Sequence, residues 1–298
     1  MASMLSQPVE WQCRLDRYTS FAIGGPAEAV VKVDLRHELH PLLKYLAGEK
    51  IPWRVIGRGT NLLVRDEGFP GVIIVLGKEF AQSTEMVSDK ETIVIEAGGA
   101  CGLAKLSLRC ADNGLTGLEF ACGIPGTVGG AVIMNAGAGG RDISTVLRSV
   151  TVVSPDKEEK ILYNDLEFSY RSWDGYARYR RQAVVAMVEF SLQRGDVAEI
   201  KERCRMLQEK RKASQPHEYA NAGSFFKNPP NDSAGRLIEV SGLKGMSIGG
   251  AMVSDRHGNF LVNKGGATAV DVLHLKKVIQ ERVAKDCGVV LEPEVHFI

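Results

Sequence analysis

Several features that mark other protein classes are scarce or absent in this sequence of 298 residues. The formal net charge is only +1, which gives no field that would attract nucleic acid or an anionic membrane. No apolar run approaches the length of a membrane span, and the N-terminus has no basic segment followed by an apolar one, as a secretory signal would. We therefore expect a cytoplasmic protein that binds neither nucleic acid nor membrane.

Paired cysteines are also missing. The six cysteines lie at positions 13, 101, 110, 122, 204 and 287 and include no C-x-x-C pair. None has a histidine at the spacing of a metal site, and His37 and His40 have no third ligand near them in the sequence. This pattern predicts reduced, mostly buried thiols and no bound metal.

What the sequence has in excess is glycine, concentrated in one stretch. Residues 117–140 hold eight glycines in twenty-four positions. Glycine costs conformational entropy when it is ordered, so this density needs a reason at the level of the backbone. One reason is close approach of backbone N–H groups to a phosphate, and the other is a series of tight turns packed against a core. The pattern favours contact with a phosphate or dinucleotide.

Apolar periodicity predicts a mixture of strands and helices, enough for two or three domains. Strands are predicted at 29–33, 53–56, 62–64, 72–76, 92–97, 149–153, 160–163, 183–192 and 258–263. Helices are predicted at 35–47, 103–113, 196–212, 233–241 and 269–286. Residues 214–231 are rich in Pro and Asn, which predicts a loop.

Two charged segments each have two interpretations. Residues 289–298 alternate with period two, which predicts a strand with Glu292, Glu294 and His296 on one face. That face is either a solvated edge or one wall of a site, and the edge is favoured. Residues 210–212 read K-R-K at the end of a helix. They either complement the helix dipole, which is favoured, or clamp a diphosphate.

Residues 57–59 read G-R-G after a predicted strand, as at the start of a dinucleotide-binding G-x-G-x-x-G loop. Leu62 stands where the third glycine would be, and a further strand is predicted after it instead of a helix. The motif is therefore a glycine turn between strands and by itself a weak dinucleotide signal.

Six motifs follow one another along the chain. They are T-S-F-A-I-G-G-P-A at 19–27, G-R-G-T-N-L-L-V at 57–64, G-I-P-G-T-V-G-G-A and M-N-A-G-A within 123–138, Y-R at 170–171, A-G-S-F-F-K-N-P at 222–229, and L-E-P-E-V at 291–295. Each motif is weak alone. Together, from about Tyr18 to the C-terminus, they resemble the UDP-N-acetylenolpyruvoylglucosamine reductase family.

This resemblance implies an α+β fold with a non-covalent FAD. The FAD-binding domain would be of the vanillyl-alcohol-oxidase type, with subdomains at residues 1–70 and 71–195, followed by a C-terminal α+β substrate-binding domain at 196–298. The residues expected to hold FAD are Gly57, Arg58, Gly59, Thr60, Asn61, Leu62, Gly123, Ile124, Pro125, Gly126, Gly129, Gly130, Ala131, Asn135, Ala136 and Gly137. The short spacing between Arg171 and Ser224 is similar to that of the family's shorter type, which lacks a tyrosine-bearing insertion.

The resemblance also implies an activity. A monomeric enzyme would use NADPH to reduce the enolpyruvyl group of UDP-N-acetylglucosamine enolpyruvate to UDP-N-acetylmuramate, a peptidoglycan precursor. By motif match, Ser224 donates the proton, and Arg171 and Glu294 stabilise the enolate. Glu292 is the reserve candidate for Glu294. A carboxyl group beside an enolate helps only if it is protonated or if it orients Arg171, and the sequence leaves both roles open.

Substrate contacts are expected from Tyr170, Arg211, Lys227 and Asn228. The chain departs from the family pattern at two positions. Ser214 stands where the family has a lysine, and Lys212 is the candidate replacement. His296 stands where the family usually has an arginine. The alternatives are an FAD-dependent oxidase of an alcohol or hydroxy acid with the same fold, and a non-catalytic flavin- or nucleotide-binding module.

Overall fold

A computed structural model describes residues 1, 4–87, 92–179 and 182–298 of the chain. The helices within these residues are α1 Arg36–Gly48, α2 Leu103–Asp112, α3 Val128–Ile133, α4 Val197–Ser214, α5 Ala234–Val240 and α6 Ala269–Cys287. The strands are β1 Glu10–Arg14, β2 Pro26–Val33, β3 Trp53–Val55, β4 Leu62–Leu63, β5 Phe69–Leu76, β6 Ser83–Val87, β7 Thr92–Gly98, β8 Leu115–Thr116, β9 Gly137–Ala138, β10 Arg141–Asp142, β11 Leu147–Val153, β12 Glu158–Leu162, β13 Phe168–Ser169, β14 Ser172–Trp173, β15 Val184–Arg194, β16 Ala220–Ser224, β17 Ser247–Ile248, β18 Ala251–Val253, β19 Phe260–Asn263 and β20 His296–Phe297.

The chain divides into two compact units, each built from separated segments. The first comprises Met1–Trp11, Ala29–Gly57 and Gly71–Lys210. The second comprises Gln12–Glu28, Arg58–Pro70 and Arg211–Ile298. Subdomains at 1–70, 71–195 and 196–298 stay a prediction.

The first unit contains an antiparallel sheet with the strand order β12-β11-β15-β7-β6, with β8 beside the end of β15. β15 is its central strand, antiparallel to both β11 and β7. Seven successive residues of β15 are buried, as expected for a strand covered on both faces. Helices α2 and α3 contribute apolar residues to the core on one side of this sheet. α1 packs its leucine stripe into a separate core with β2 and β5.

The second unit is organised around the antiparallel sheet β16-β19-β18-β17. Helix α6 packs its apolar face into the core of this unit. The N-terminal segment Gln12–Glu28 contributes Phe21 and Ile23 to the same core. The start of α6 follows from its sequence, because Thr268 and Asp271 form a reciprocal capping box. Its end follows from Gly288, which adopts the left-handed conformation at φ +70°.

Most of the predicted elements are present, and two predictions were wrong. The segment 214–231 was predicted to be a loop, but α4 continues to Ser214 and residues 220–224 form β16. The C-terminal segment 289–298 was predicted to be a strand throughout, but only His296–Phe297 is one. The short helix α3 lies within the glycine-rich stretch, for which no helix was predicted.

The prediction of six reduced thiols was also wrong for one pair. Cys122 and Cys204 form a disulfide, with their Cα atoms 5.7 Å apart. Both are buried, and 82 positions separate them in the sequence, so nothing in the spacing pointed to this pair. Cys13, Cys101, Cys110 and Cys287 form no disulfide.

Among the described residues, every helix is too short or too polar to span a membrane. In the same part of the chain, no three acidic, histidine or cysteine side chains are grouped so that they could hold a metal ion.

Candidate active site

Ser224 is the last residue of β16 and follows a bulge. β16 pairs with β19, and their register shifts between Asn221 and Ser224. Gly223 lies in this bulge at φ +78°, a conformation that side-chain-bearing residues rarely adopt, and its N–H donates to Asn221 Oδ1 over 3.0 Å. Because a bulge changes the direction of the following side chain, this local geometry sets where the Ser224 hydroxyl points.

Glu294 lies on the segment that pairs with the residues after Ser224. The N–H of Glu294 donates to the carbonyl of Phe225 over 2.8 Å, and the N–H of Lys227 donates to the carbonyl of Glu292 over 2.8 Å. Phe226 and Pro293 form the bridge between these two bonds. The structure therefore brings the segments that carry Ser224 and Glu294 together through their backbones.

The glycine turn at residues 57–61 is bound to the same two segments. Asn61 Nδ2 donates to the carbonyl of Glu294 over 3.1 Å, and the N–H of His296 donates to the carbonyl of Asn61 over 3.0 Å. On its other side, Ser20 Oγ donates to the carbonyl of Asn221 over 2.7 Å, and the N–H of Ser20 donates to the carbonyl of Gly59 over 3.1 Å. Ser20 and Asn61 thus tie the turn to the strand of Ser224 and to the segment of Glu294.

Glycine is required in this turn by the space around it. Gly59 has φ +60°, and a Cβ there would overlap the carbonyl oxygen of Tyr18. A Cβ on Gly57 would overlap Thr127 Oγ1. Among the described residues, the N–H groups of Gly57, Arg58 and Gly59 donate to no backbone carbonyl. The turn therefore presents closely spaced, unused donors, which is what a pyrophosphate group requires.

The glycine-rich stretch 117–140 combines packing with tight turns. A Cβ on Gly129 would approach the carbonyl of Gly99 to 3.1 Å, so this glycine lets α3 pack closely on the sheet. A Cβ on Gly137 would lie 2.5 Å from the carbonyl of Arg141 in the β9–β10 hairpin. Gly126 has φ +135°. Packing therefore accounts for Gly129 and Gly137 without any cofactor, whereas a Cβ on exposed Gly130 would make only an ordinary contact with Thr127 Oγ1, at 3.4 Å.

Arg171 lies in the two-residue turn between β13 and β14. Its φ is +59°, a strained conformation for a residue with a side chain. The guanidinium donates to the carbonyl of Gly137 over 3.1 Å and lies 5.1 Å from the centre of the Tyr170 ring. Arg171 belongs to the first unit, whereas Ser224 and Glu294 belong to the second.

Asn135 also holds this turn. Its Nδ2 donates to the carbonyl of Ser169, and its Oδ1 accepts from the N–H of Ser144, each over 3.1 Å. The side chain is buried, so both of its polar atoms are satisfied within the protein. The predicted contact of Asn135 with FAD would therefore be made by its backbone or by the second N–H of its amide.

Helix α4 anchors the entrance to the glycine-rich stretch. Buried Glu119 accepts hydrogen bonds from Thr116 Oγ1 over 2.6 Å, the N–H of Gly117 over 2.7 Å and Arg203 Nη2 over 2.9 Å. Burial raises the pKa of the Glu119 carboxyl, but these bonds outweigh burial and hold the pKa below its usual value. One residue along α4, Cys204 forms its disulfide with Cys122, directly before Gly123.

The residues predicted to bind substrate have different surroundings. Lys227 Nζ lies 3.8 Å from Glu292 Oε2, which pairs the predicted cation with the reserve carboxylate. Asn228 Oδ1 accepts from the N–H of Ala234 at the start of α5 over 3.0 Å. Tyr170 is half exposed. Lys212 is exposed, and its carbonyl accepts from the Arg256 guanidinium over 3.2 Å.

Two residues that hold the backbone of this site by hydrogen bonds were not predicted from the sequence. Ser20 lies within the T-S-F motif, but its contact with Asn221 joins positions 201 residues apart. Asn259 is buried and hydrogen-bonded to the Phe225–Phe226 backbone. An asparagine before the apolar residues of β19 is the only local signal for it, since the pairing with β16 cannot be read from the sequence.

Comparison with known proteins agrees with this geometry. A family model described as an FAD-binding domain matches residues 27–160, and one described as the UDP-N-acetylenolpyruvoylglucosamine reductase C-terminal domain matches residues 215–298. These ranges contain all the residues predicted to hold FAD and the candidates Ser224 and Glu294.

Full-length relatives carry the same name. UDP-N-acetylenolpyruvoylglucosamine reductase 2 of Symbiobacterium thermophilum is 45 % identical over 283 residues, 94 % of this chain and 89 % of the relative. The reductase of Syntrophus aciditrophicus is 42 % identical over 300 residues, 100 % of this chain and 94 % of the relative. The crystal structure of the Thermus caldophilus reductase is 37 % identical, with a TM-score of 0.81 over 97 % of both chains. The chain therefore belongs to the UDP-N-acetylenolpyruvoylglucosamine reductase family, an FAD-binding group of oxidoreductases.

Proposed function

We propose that this chain reduces UDP-N-acetylglucosamine enolpyruvate to UDP-N-acetylmuramate, a step of peptidoglycan precursor synthesis. The reaction consumes NADPH and one proton and releases NADP⁺. The observation that carries the proposal is the hydrogen-bonded series from Asn61 through Glu294 to Phe225, because it joins the glycine turn to both candidate catalytic segments. The oxidase alternative has less support, since the full-length relatives are named as reductases.

The glycine turn at 57–61 and the stretch 123–137 would hold FAD without a covalent bond. The closely spaced N–H donors of Gly57, Arg58 and Gly59 suit its pyrophosphate. Bound there, FAD would supply the hydride chemistry, by which a hydride from NADPH would reach the terminal carbon of the enolpyruvyl group. The remaining steps belong to side chains of this chain.

Addition of hydride leaves negative charge on the carbon next to the substrate carboxylate. In the proposal, Arg171 stabilises this charge, and the Ser224 hydroxyl donates a proton to that carbon. A serine hydroxyl is a weak acid, so its orientation towards the carbon decides the rate. Glu294 either donates a hydrogen bond in its protonated form or orients Arg171 in its charged form.

The two acidic candidates can be separated by mutation. Glu292 is 76 % exposed at its side chain and is paired with Lys227, which suits a solvent-facing role. We expect Glu294→Gln to slow turnover strongly if the carboxylate is charged and mildly if it acts as a neutral donor. Glu292→Gln serves as the matched control and should leave kcat near that of the unmodified protein. A large loss of kcat in Glu292→Gln would reverse the assignment.

Substrate binding is assigned to Tyr170, Arg211, Lys227 and Asn228, with Lys212 in place of the lysine that is absent at position 214. Lys212 is exposed and its side chain is available to a diphosphate. Lys212→Ala should raise KM for the UDP-sugar and leave kcat unchanged. An unaltered KM would refute this substitution.

The decisive experiment is anaerobic stopped-flow absorbance of the holoenzyme. NADPH should bleach the oxidised flavin band, at about 450 nm, and UDP-N-acetylglucosamine enolpyruvate should then restore it within the turnover time. Recovery only with oxygen or another acceptor would refute the assigned substrate. Ser224→Ala should preserve bleaching and slow recovery, which separates the proton step from flavin reduction.

We also assign this enzyme to the cytoplasm as a monomer, with no nucleic-acid partner, and retain subdomain boundaries at 70/71 and 195/196. The mass of a dimer in light scattering of the holoenzyme would overturn the assignment as a monomer.

A further inference from the structure

Asn259 is a buried polar side chain that the proposed mechanism does not use. It lies one residue before β19 and is only 3 % exposed. Its Oδ1 accepts from the N–H of Phe226 over 2.9 Å, and its Nδ2 donates to the carbonyl of Phe226 over 2.7 Å. The backbone carbonyl of Asn259 accepts from the N–H of Phe225 over 2.8 Å. One residue therefore makes three hydrogen bonds to two consecutive residues.

The opposite edge of the same two residues is bound to the Glu294 segment. The carbonyl of Phe225 accepts from the N–H of Glu294 over 2.8 Å, and Phe226 forms a bridge with Pro293. The Phe225–Phe226 backbone thus lies between Asn259 and the segment of Glu294. Both phenylalanine side chains are 1 % exposed, so the core restrains them as well.

This arrangement determines the geometry at Ser224. Ser224 directly precedes Phe225 and directly follows Gly223, whose positive φ makes the bulge conformationally permissive. The bulge interrupts the pairing of β16 with β19 between Asn221 and Ser224. Beyond it, the backbone is held by the pairing of Ser224 with Phe260 and by the bonds that Asn259 and Glu294 make to Phe225 and Phe226.

We propose that Asn259 is a positioning residue for the proton donor: it holds the Phe225–Phe226 backbone so that the Ser224 hydroxyl and the Glu294 segment keep a fixed relation. The inference rests on the proposed role of Ser224. Misplacement of a reacting group by about 1 Å lowers rates by about 100-fold. Loss of the Asn259 amide should therefore slow protonation of the substrate while leaving flavin reduction by NADPH unchanged, because that half-reaction needs no proton from Ser224.

The main variant is Asn259→Asp, which keeps the shape and Oδ1 but removes the Nδ2 donor to Phe226. Asn259→Ala removes both side-chain bonds without introducing a charge, and it replaces the first variant if that one does not fold. Asn263→Ala is the matched control. Asn263 is the last residue of the same strand, and its side chain also bonds to backbone, donating to the carbonyl of Phe21 over 3.1 Å.

The two half-reactions are measured by anaerobic stopped flow, in H₂O and in D₂O. We expect flavin reduction within twofold of the unmodified protein and reoxidation by the enolpyruvyl substrate slowed by about 30- to 100-fold. The solvent isotope effect on reoxidation should increase as the proton step becomes limiting. Asn263→Ala should lower the unfolding midpoint without changing the ratio of the reoxidation rate to the flavin-reduction rate. A purely structural role for Asn259 predicts that both half-reactions fall together with the folded fraction, and that result would overturn the proposal.

A second readout does not depend on the cofactor. In the FAD-free protein, the amide of Phe226 should exchange with solvent as slowly as the amides of the central strand β19, and the variants should accelerate exchange at residues 225–227. Rapid exchange at Phe226 in the unmodified protein would refute the restraint. Failure of the proposed function can be told apart from failure of the positioning role, because Ser224→Ala would then leave the rate of reoxidation unchanged. A slowed Ser224→Ala beside a normal Asn259→Ala would refute only the positioning role.

Discussion

The side-chain amide of Asn61 donates to the carbonyl oxygen of Glu294 over 3.1 Å, across 233 positions of sequence. The return bond runs from the N–H of His296 to the carbonyl of Asn61 over 3.0 Å. The turn proposed to hold the FAD pyrophosphate and the segment that carries a candidate catalytic carboxyl group are therefore positioned by one residue. Cofactor binding and proton transfer should respond together when this residue is changed.

Asn61→Ala tests this coupling. The variant loses one hydrogen bond, worth about 1 kcal/mol, so we expect FAD to bind up to about tenfold more weakly. Turnover at saturating FAD should also fall, because the Glu294 segment loses a restraint. Flavin fluorescence titration measures the first effect and steady-state assays the second. Asn113→Ala, which removes a side-chain bond to Arg109 at the end of α2, should change neither. Unchanged FAD affinity in Asn61→Ala would contradict the coupling.

Gly57→Ala should abolish FAD binding without preventing folding of the rest of the chain. The new methyl group would overlap Thr127 Oγ1, so the turn or the start of α3 must shift. Flavin content after purification and far-UV circular dichroism measure the two parts of the prediction. Gly48→Ala is the control, since Gly48 lies in α1 with open space around its Cβ position and should become more stable by about 0.5–1 kcal/mol. Full flavin content in Gly57→Ala would show that the close approach is unimportant.

The Glu119 carboxyl should make the stability of the chain depend on pH in acid. Its folded-state pKa lies below the usual 4.5, so the charged form is stabilised by folding. This contribution is complete above the unfolded-state value and is lost as pH falls below it towards the folded-state pKa. The free energy of unfolding should therefore fall less between about pH 5 and pH 3 in Glu119→Gln than in the unmodified protein. Denaturant titrations at several pH values measure this free energy.

The matched control for that experiment is Glu158→Gln, since Glu158 is an exposed carboxylate on β12. The free energy of unfolding of Glu158→Gln should vary with pH in the same way as that of the unmodified protein. Equal pH dependence in Glu119→Gln and the unmodified protein would mean that Arg203 and Thr116 do not stabilise the charged carboxylate.

The disulfide between Cys122 and Cys204 predicts a thiol count. Denatured, unreduced protein should react with four equivalents of a thiol reagent, one for each cysteine outside the disulfide, and with six after reduction. In the chain-entropy model, closing a loop of this length stabilises the fold by about 4 kcal/mol. Cys204→Ser should therefore lower the unfolding free energy, whereas Cys13→Ser should not. Six reactive thiols before reduction would contradict the bond.

The elements that could be predicted are those specified by nearby residues. The leucine stripe of α1 and the Thr268–Asp271 capping box of α6 act within a few positions of sequence. The motifs also located the candidate site residues. Assignment of individual roles needs the partners that these residues contact, and those partners are distant.

The predictions that were wrong depended on such distant partners. Period two at 289–298 predicted a long strand, but the partners available to this segment are short: β4 for His296–Phe297 and the residues after Ser224 for Pro293. Pro293 also has no N–H to donate to a ladder. The Asn and Gly residues of 220–224 predicted a loop, but this segment pairs with β19 as a bulged strand. Likewise, the reasons for Gly129 and Gly137 became visible only with Gly99 and Arg141 in place.

The second unit is assembled from segments made early and late in synthesis. Phe21 and Leu63 are fully buried there in the same core as residues of helix α6, which begins more than 200 positions after either of them. On a ribosome, these two side chains must wait for α6 before they are covered, so the nascent chain carries exposed apolar surface for most of its translation. The same order implies that a fragment beginning at residue 215, the start of the matched C-terminal family domain, leaves a gap in its core where these side chains belong. The fragment alone should therefore aggregate unless the early segments are supplied as peptides.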